Sequence, residues 1–292
     1  MSDFTFLKNA VTKKWVISAP RRAKRPDVAN GTEPACPFCP EHKEDAELYR
    51  VGGIPSDAGW QIRVVANKFP FAPIHELVIN TPDHHSSFDN FTIEQIQTIL
   101  QTYRHRFNEH HHAGQVYIFH NHGEKAGESI PHSHTQIAVV PEKVFLDIPR
   151  LQSVIEDVPQ GLTTKHFTIF CPTTSVWPDE VWVAPKVSGR LFGEITDDEI
   201  GDFSGILSSL TKIFDLRYNK DFPYNFYLYP GGDWYFRLIP RLKTLGGFEV
   251  GTNVFVNTQK PQETMEFIKE HFKEPNFEKI MKEHQAEYHR TV

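Results

Sequence analysis

Cysteine is scarce in this chain of 292 residues: there are three, and only Cys36 and Cys39 lie close together. An odd count with one close pair makes no disulfide framework, but it does make half of a metal site. The remaining Cys171 follows apolar Ile169 and Phe170 and reads as an inert buried thiol. A basic excess is also missing. The formal charge is −6, which gives no general attraction to nucleic acid or to an acidic membrane surface, so any phosphate binding has to be local. No apolar run reaches the roughly 18 residues of a membrane span. Residues 1–14 lack the apolar core and cleavage site of a signal peptide, so a cytoplasmic location is expected.

What is present is the mixture of a soluble globular protein: 39% hydrophobic and 23% charged residues, enough to bury a sizeable core. The length suits one large unit or two similar halves, and the pattern favours halves. HELVINTPDHHSSFDNFTIEQIQTIL (75–100) and DEVWVAPKVSGRLFGEITDDEIGDFSGIL (179–207) share one order. In each, an apolar strand ends near Pro82 or Pro185, and a polar loop leads to a capping box, Thr92 with Gln95 or Thr196 with Glu199. The helices that follow carry apolar faces: Ile93, Ile96, Leu100, Tyr103 and Phe107 in one, Ile200, Phe203, Leu207, Leu210 and Phe214 in the other. Strand-like pairs come next, VYIFHN with HTQIAVVP and YNFYLYP with WYFRLIPRL. Adjacent strands with single helices laid across them predict an α+β fold of two similar halves, 1–165 and 166–292, each a largely antiparallel sheet.

The densest chemistry is NHGEKAGESIPHSHTQ, residues 121–136. On a strand, His132, His134 and Gln136 would share one face, able to put one imidazole on a metal and the next against a phosphate. A pair of solvated histidines is the plainer reading of H-x-H. The surroundings speak against it: Gly123 and Gly127 permit close backbone approach, Ser129 offers a hydroxyl and Asn121 an amide. No Lys-Ser/Thr pair follows the second glycine, so this is not a Walker A loop. In CPFC, a C-x-x-C turn aims two thiolates at one tetrahedral zinc ion. A redox dithiol is the rival, and Pro34, Pro37 and Pro40 disfavour the helix that it would open. His110, His111 and His112 read as a solvated helix end; His120 and His122 flank Asn121 with either a site or a core role open.

Six ordered blocks together resemble a known family: WVISAPRRAKRP (15–26), CPFC (36–39), NKFPF (67–71), HELVINTPDH (75–84), AGESIPHSHTQ (126–136) and IPRLKTLGGFEVGTNVFVN (239–257). They are similar to the galactose-1-phosphate uridylyltransferase group of the histidine-triad superfamily, with its related nucleotide-sugar phosphorylases. The resemblance implies two histidine-triad-like halves and a double displacement in which His134 becomes nucleotidylated. It implies Gln136 on the phosphoryl oxygens and Ser129 and Asn121 on the phosphates. Arg22 and Arg25 would serve the phosphate and sugar ends, Asn67 the nucleotide, and Lys243, Phe248 and Glu249 the hexose. His84 and His132 would complete a closed, structural zinc site with Cys36 and Cys39, with His85 as a substitute for His84. The implied ligands are a nucleotide sugar and a sugar phosphate or phosphate, in a protein that forms a homodimer.

The departures are as informative. WYFRLIPRL has Arg237 and no histidine pair, so the histidine chemistry is expected from the first half alone, with the second half shaping the substrate site. No ligands appear for the further metal that some relatives carry there. Phe248 stands where tyrosine is common, and Glu128 where a small residue is usual. These positions leave the acceptor open between hexose 1-phosphate and inorganic phosphate, which would make an ADP-sugar or dinucleotide phosphorylase. The base is open too, and a zinc-stabilised nucleotide-binding protein without turnover is the alternative from another class.

Overall fold

The computed structural model describes residues 3–24, 36–41, 46–54, 59–218 and 222–282. A hairpin of β1 (Thr5–Lys8) and β2 (Trp15–Ser18) precedes a ten-stranded sheet. Its strands are β3 (Glu47–Val51), β4 (Ile62–Ala66), β5 (Ile74–Ile79), β6 (Gln115–His122), β7 (His134–Val140), β8 (Leu162–Thr163), β9 (Phe167–Phe170), β10 (Val181–Pro185), β11 (Tyr224–Leu228) and β12 (Phe236–Pro240). The helices are α1 (Ile93–His110), α2 (Asp197–Arg217), α3 (Gly247–Thr252) and α4 (Pro261–His271).

The spatial order β3-β4-β5-β7-β6-β11-β12-β10-β9-β8 carries the internal repeat. The run β4-β5-β7-β6 is answered in reverse by β11-β12-β10-β9, and the halves join where β6 pairs with β11, Asn121 opposite Asn225. Every pairing is antiparallel, as the adjacent strands of the sequence predict. The α+β class with two histidine-triad-like halves is thereby borne out.

Both helices begin where their caps stand. Thr196 and Glu199 exchange hydrogen bonds as a complete capping box. Thr92 accepts from the Gln95 N–H, but the Gln95 amide reaches to the Asn80 carbonyl instead of back to the cap. Of the predicted apolar faces, Ile93 is 44% exposed because it sits on the first turn; the other nine residues are buried. Both helices cover one face of the sheet, where their side chains meet Ile118, Ile137 and Val139 in the main core. The opposite face carries an aromatic group that includes Phe170, Trp182, Tyr227 and Tyr235, and beside it a smaller cluster of Phe38, Trp60, Val65 and Ile79. That second face also carries His134 and Gln136.

Two local expectations change. The helix end is not uniformly solvated: His111 and His112 are exposed, but His110 Nε2 lies 2.8 Å from Glu76, which also binds Arg106. His132 precedes β7, so the strand row begins at His134.

Candidate active site

β7 is buried on both faces, with Thr135, Ile137 and Val139 toward the helices and His134, Gln136, Ala138 and Val140 on the other side. His134 is 5% exposed, and its Nδ1 lies 2.9 Å from the His132 carbonyl oxygen. A carbonyl oxygen only accepts, so Nδ1 carries the proton, and the lone pair of the neutral ring is on Nε2. The ring lines a cavity together with Phe38, Asn67, Phe69, Ser129 and Gln136. Phe38 packs on the imidazole with centroids 5.1 Å apart, giving the His134 ring an apolar wall.

Behind the strand, His120 donates from Nδ1 to the His134 carbonyl at 2.8 Å. Burial, then His122 and His134, hold the His120 pKa well below the usual histidine range. The loop from Gly123 to Ser129 begins with a backbone that glycine suits: Gly123 has φ +82°, and a Cβ there would stand 3.0 Å from the Pro223 Cβ. Glu128 turns back to this loop and accepts from the Gly123 N–H at 2.7 Å. Burial pushes its carboxyl up to about 7. Asn121 lies on the seam between halves, its Oδ1 accepting from Asn225 Nδ2 at 2.8 Å, while Asn225 Oδ1 accepts from Arg241 at 2.7 Å.

Next to this cavity, Cys36, Cys39, His84 and His132 bring four ligand atoms within 4.8 Å of one another. The sulfur-to-nitrogen distances are 3.6 and 3.7 Å from His132 Nδ1 to Cys36 and Cys39, and 3.3 Å from His84 Nδ1 to Cys39. Bond lengths of about 2.3 Å to sulfur and 2.0 Å to nitrogen around a tetrahedral ion require separations of roughly 3.5 Å, so the set fits one. His132 Nε2 donates to the Thr81 carbonyl at 2.7 Å, which leaves Nδ1 unprotonated toward the two sulfurs. Without a cation, burial and then Cys36 push the Cys39 thiol up to about 12. This cluster is able to hold a metal. His85 is exposed and outside it.

The remaining predicted residues divide. Arg22 reaches the cavity rim, donating to the Phe69 carbonyl at 2.7 Å and stacking on Phe71. Arg25 lies outside the described residues. Lys243 and Glu249 pair with each other at 3.0 Å, Lys243 also donates to the Val256 carbonyl, and Phe248 is 57% exposed; none of the three lines the His134 cavity. In the second half, Arg237 fills the space across the seam: it binds Glu180 at 2.7 Å and the Tyr227 hydroxyl at 3.0 Å over the Trp182 ring. Sequence reasoning missed His75, whose Nε2 lies 3.1 Å from Gln136 Oε1. Its alternation with Leu77 on β5, opposite β7, was the available signal.

Comparison with known proteins agrees with this geometry. Residues 74–140, which include β5 to β7, match the model of the galactose-1-phosphate uridyl transferase N-terminal domain. ADP-glucose phosphorylase of Arabidopsis thaliana is 27% identical over 324 residues, spanning 90% of this chain and 92% of its own. Galactose-1-phosphate uridylyltransferase of Thermotoga maritima is 24% identical over 309 residues, with 90% and 96% covered. The crystal structure of the Arabidopsis phosphorylase with bound ADP-glucose superposes with TM-score 0.70 at 26% identity, over 92% of this chain and 99% of that one. A uridylyltransferase structure at 23% identity shares the fold, with TM-score 0.74 over 91% and 97% of the two chains. The class of protein that this chain is similar to is that of nucleotidyltransferases with the histidine-triad fold. Within that group it is similar to galactose-1-phosphate uridylyltransferase and to ADP-glucose phosphorylase, and the resemblance carried by the six blocks is borne out.

Proposed function

We propose that this protein moves a nucleoside monophosphate from a nucleotide sugar to a phosphorylated acceptor by double displacement at His134. One observation carries the reading: the Nδ1–H of His134 is tied to a main-chain carbonyl, so the Nε2 lone pair is the nucleophile in a cavity shared with Gln136, Ser129 and Asn67. In the first step Nε2 attacks the α-phosphorus and the phosphorus–oxygen bond to the sugar phosphate breaks, the sugar 1-phosphate leaving with the electron pair. The ring is then a cationic phosphoramidate, and the His132 carbonyl bonded to Nδ1–H stabilises that charge. In the second step an acceptor phosphate oxygen attacks the same phosphorus and the nitrogen–phosphorus bond breaks, returning neutral His134. Gln136 and Ser129 would donate to the equatorial oxygens, Asn121 and Arg22 would hold the neighbouring phosphate, and Arg25 would join them.

Hexose 1-phosphate is the acceptor in the leading reading, with Lys243, Phe248 and Glu249 as its hexose contacts. Inorganic phosphate is the second, favoured by the mutual pairing of Lys243 and Glu249 away from the cavity and by the likeness to ADP-glucose phosphorylase. Cys36, Cys39, His84 and His132 would hold a structural zinc ion that anchors the segment leading into β7. The division into a catalytic half, 1–165, and a substrate-shaping half, 166–292, belongs to the same reading, as does a cytoplasmic homodimer. No helix among the described residues is long and apolar enough to cross a membrane.

The test is incubation with radiolabelled UDP-glucose and ADP-glucose, followed by a chase with galactose 1-phosphate or phosphate. An acid-labile, base-stable adduct that is absent from His134→Ala is expected, and the chase that discharges it identifies the acceptor. No adduct from any of a panel of nucleotide sugars would establish a binding protein instead.

A further inference from the structure

We infer that His75 is a positioning residue that turns the Gln136 amide so that its N–H bonds, not its oxygen, face the phosphoryl group at His134. The inference rests on the reading of His134 as nucleophile given above. His75 lies on β5 and is 5% exposed. Leu77 is the register partner of Gln136, and His75, two residues earlier on the same face, is its diagonal neighbour. The Phe71 main-chain N–H donates to His75 Nδ1 at 3.3 Å. A ring nitrogen that accepts carries no proton, so the neutral imidazole has its hydrogen on Nε2.

Among the described residues, Gln136 Oε1 at 3.1 Å and Asn67 Nδ2 at 3.2 Å lie in reach of that hydrogen. Of these two, the Gln136 oxygen is the acceptor. Nor is the Asn67 amide reversed, because its Oδ1 already takes the Phe69 N–H at 2.8 Å. The Gln136 oxygen is therefore held by His75, and the planar amide has to direct its NH2 elsewhere, toward the cavity shared with His134 and Ser129. An amide without that partner presents either end at little cost, and the oxygen end would repel a phosphoryl oxygen.

The imidazole is in turn clamped by Phe71, with centroids 4.2 Å apart, and Phe71 carries the Arg22 guanidinium at 5.0 Å on its ring. The proposed phosphate-binding arginine and the amide donor thus share one stack, Arg22 to Phe71 to His75 to Gln136.

Single-turnover adduct formation in a double-mutant cycle tests this, using the nucleotide sugar that labels the wild type. His75→Leu is expected to slow adduct formation by about 10- to 100-fold, with nucleotide-sugar affinity changed by less than about 3-fold. His75→Gln, whose amide nitrogen reaches the Nε2 position, is expected to recover to within about 5-fold of wild type, and His75→Leu in a Gln136→Ala background to cost less than about 2-fold. An unchanged rate in His75→Leu, or the same loss with and without Gln136, overturns the inference in favour of fold support. Nitrogen NMR of histidine-labelled wild type reads the proton position without turnover. An Nδ1–H tautomer at His75 overturns the inference whatever the activity. An Nε2–H tautomer in a protein that forms no adduct supports the amide orientation and removes the nucleotidyltransfer reading alone.

Discussion

The Nδ1–H of His120 is bonded to the main-chain carbonyl of His134, 2.8 Å away, so the strand that carries the proposed nucleophile is fixed from the helix-facing side of the sheet. The His120 ring stacks on Phe226 with centroids 4.9 Å apart and meets Phe88 edge-on, both deep in the core. The His134 backbone is thereby tied to the packing of both halves, since Phe226 belongs to β11.

Replacing His120 by phenylalanine keeps the ring and removes the donor. A stability loss of about 1–2 kcal/mol is expected, the cost of one buried hydrogen bond, together with slower adduct formation at His134. The pH dependence follows from the lowered folded-state pKa of His120. The unfolded chain binds a proton near pH 6.5 that the folded chain refuses, so stability is full above that pH and falls as pH drops below it. Urea titrations between pH 7 and 5 measure this, and the acid-side slope should be shallower in His120→Phe. An unchanged slope would assign the acid sensitivity to other groups.

Glu128 acts in the opposite direction. Its carboxyl is raised to about 7 in the folded protein from an ordinary value near 4.5, so the folded state favours the neutral acid. That contribution is full below the ordinary value and is lost as pH rises toward 7. Glu128→Gln keeps an acceptor for the Gly123 N–H without the charge. It should be more stable than wild type at pH 8, by no more than about 3 kcal/mol, and equal to it near pH 4.5. Thermal melts across that range decide; a variant no more stable at pH 8 would mean that the carboxylate is solvated.

Much of this arrangement is legible in the amino-acid sequence wherever the signal is local. Thr196 and Glu199 sit three residues apart and cap α2 as spacing dictates, and His134 and Gln136 share a face because strand side chains alternate. The C-x-x-C turn announces half of a metal site. What stays hidden depends on register between distant strands. His75 meets Gln136 only because β5 lies against β7, and His110 leaves the solvent only because Glu76 on β5 faces α1. Arg237 is visible in the sequence as a missing histidine, but its burial against Glu180 on the neighbouring segment is not.

Metal removal should cost stability and also loosen the His134 ring. His132 supplies a cluster nitrogen and, through its carbonyl, the acceptor for His134 Nδ1–H, so loss of a metal bound there would loosen the tautomer control of His134. One zinc per chain is expected by elemental analysis. Cys36→Ser should lower metal content and reduce stability on the order of 4 kcal/mol, what a ligand at about 1,000 times its dissociation constant contributes. Full metal content in Cys36→Ser would break the ligand assignment.

The Arg237–Glu180 pair makes the sharpest claim about the second half. Both side chains are buried, at 10% and 2% exposed, and the pair stands on the sheet face that in the first half carries the His134 cavity. Burial works against the guanidinium charge, but Glu180 and Tyr227 more than offset it and raise its pKa. Arg237→Met leaves the Glu180 carboxylate buried without its cation, which should cost about 3–5 kcal/mol. Adding Glu180→Gln removes the stranded charge, so the double variant should recover most of that loss. Adduct formation at His134 per folded molecule should be unchanged in the double variant, because the pair touches no residue lining the His134 cavity. Denaturation midpoints of the four proteins, with adduct rates at a temperature where all are folded, test both parts. A double variant that is stable yet unable to label His134 would give Arg237 a direct part in the reaction, and the second half would then be more than a plugged copy of the first.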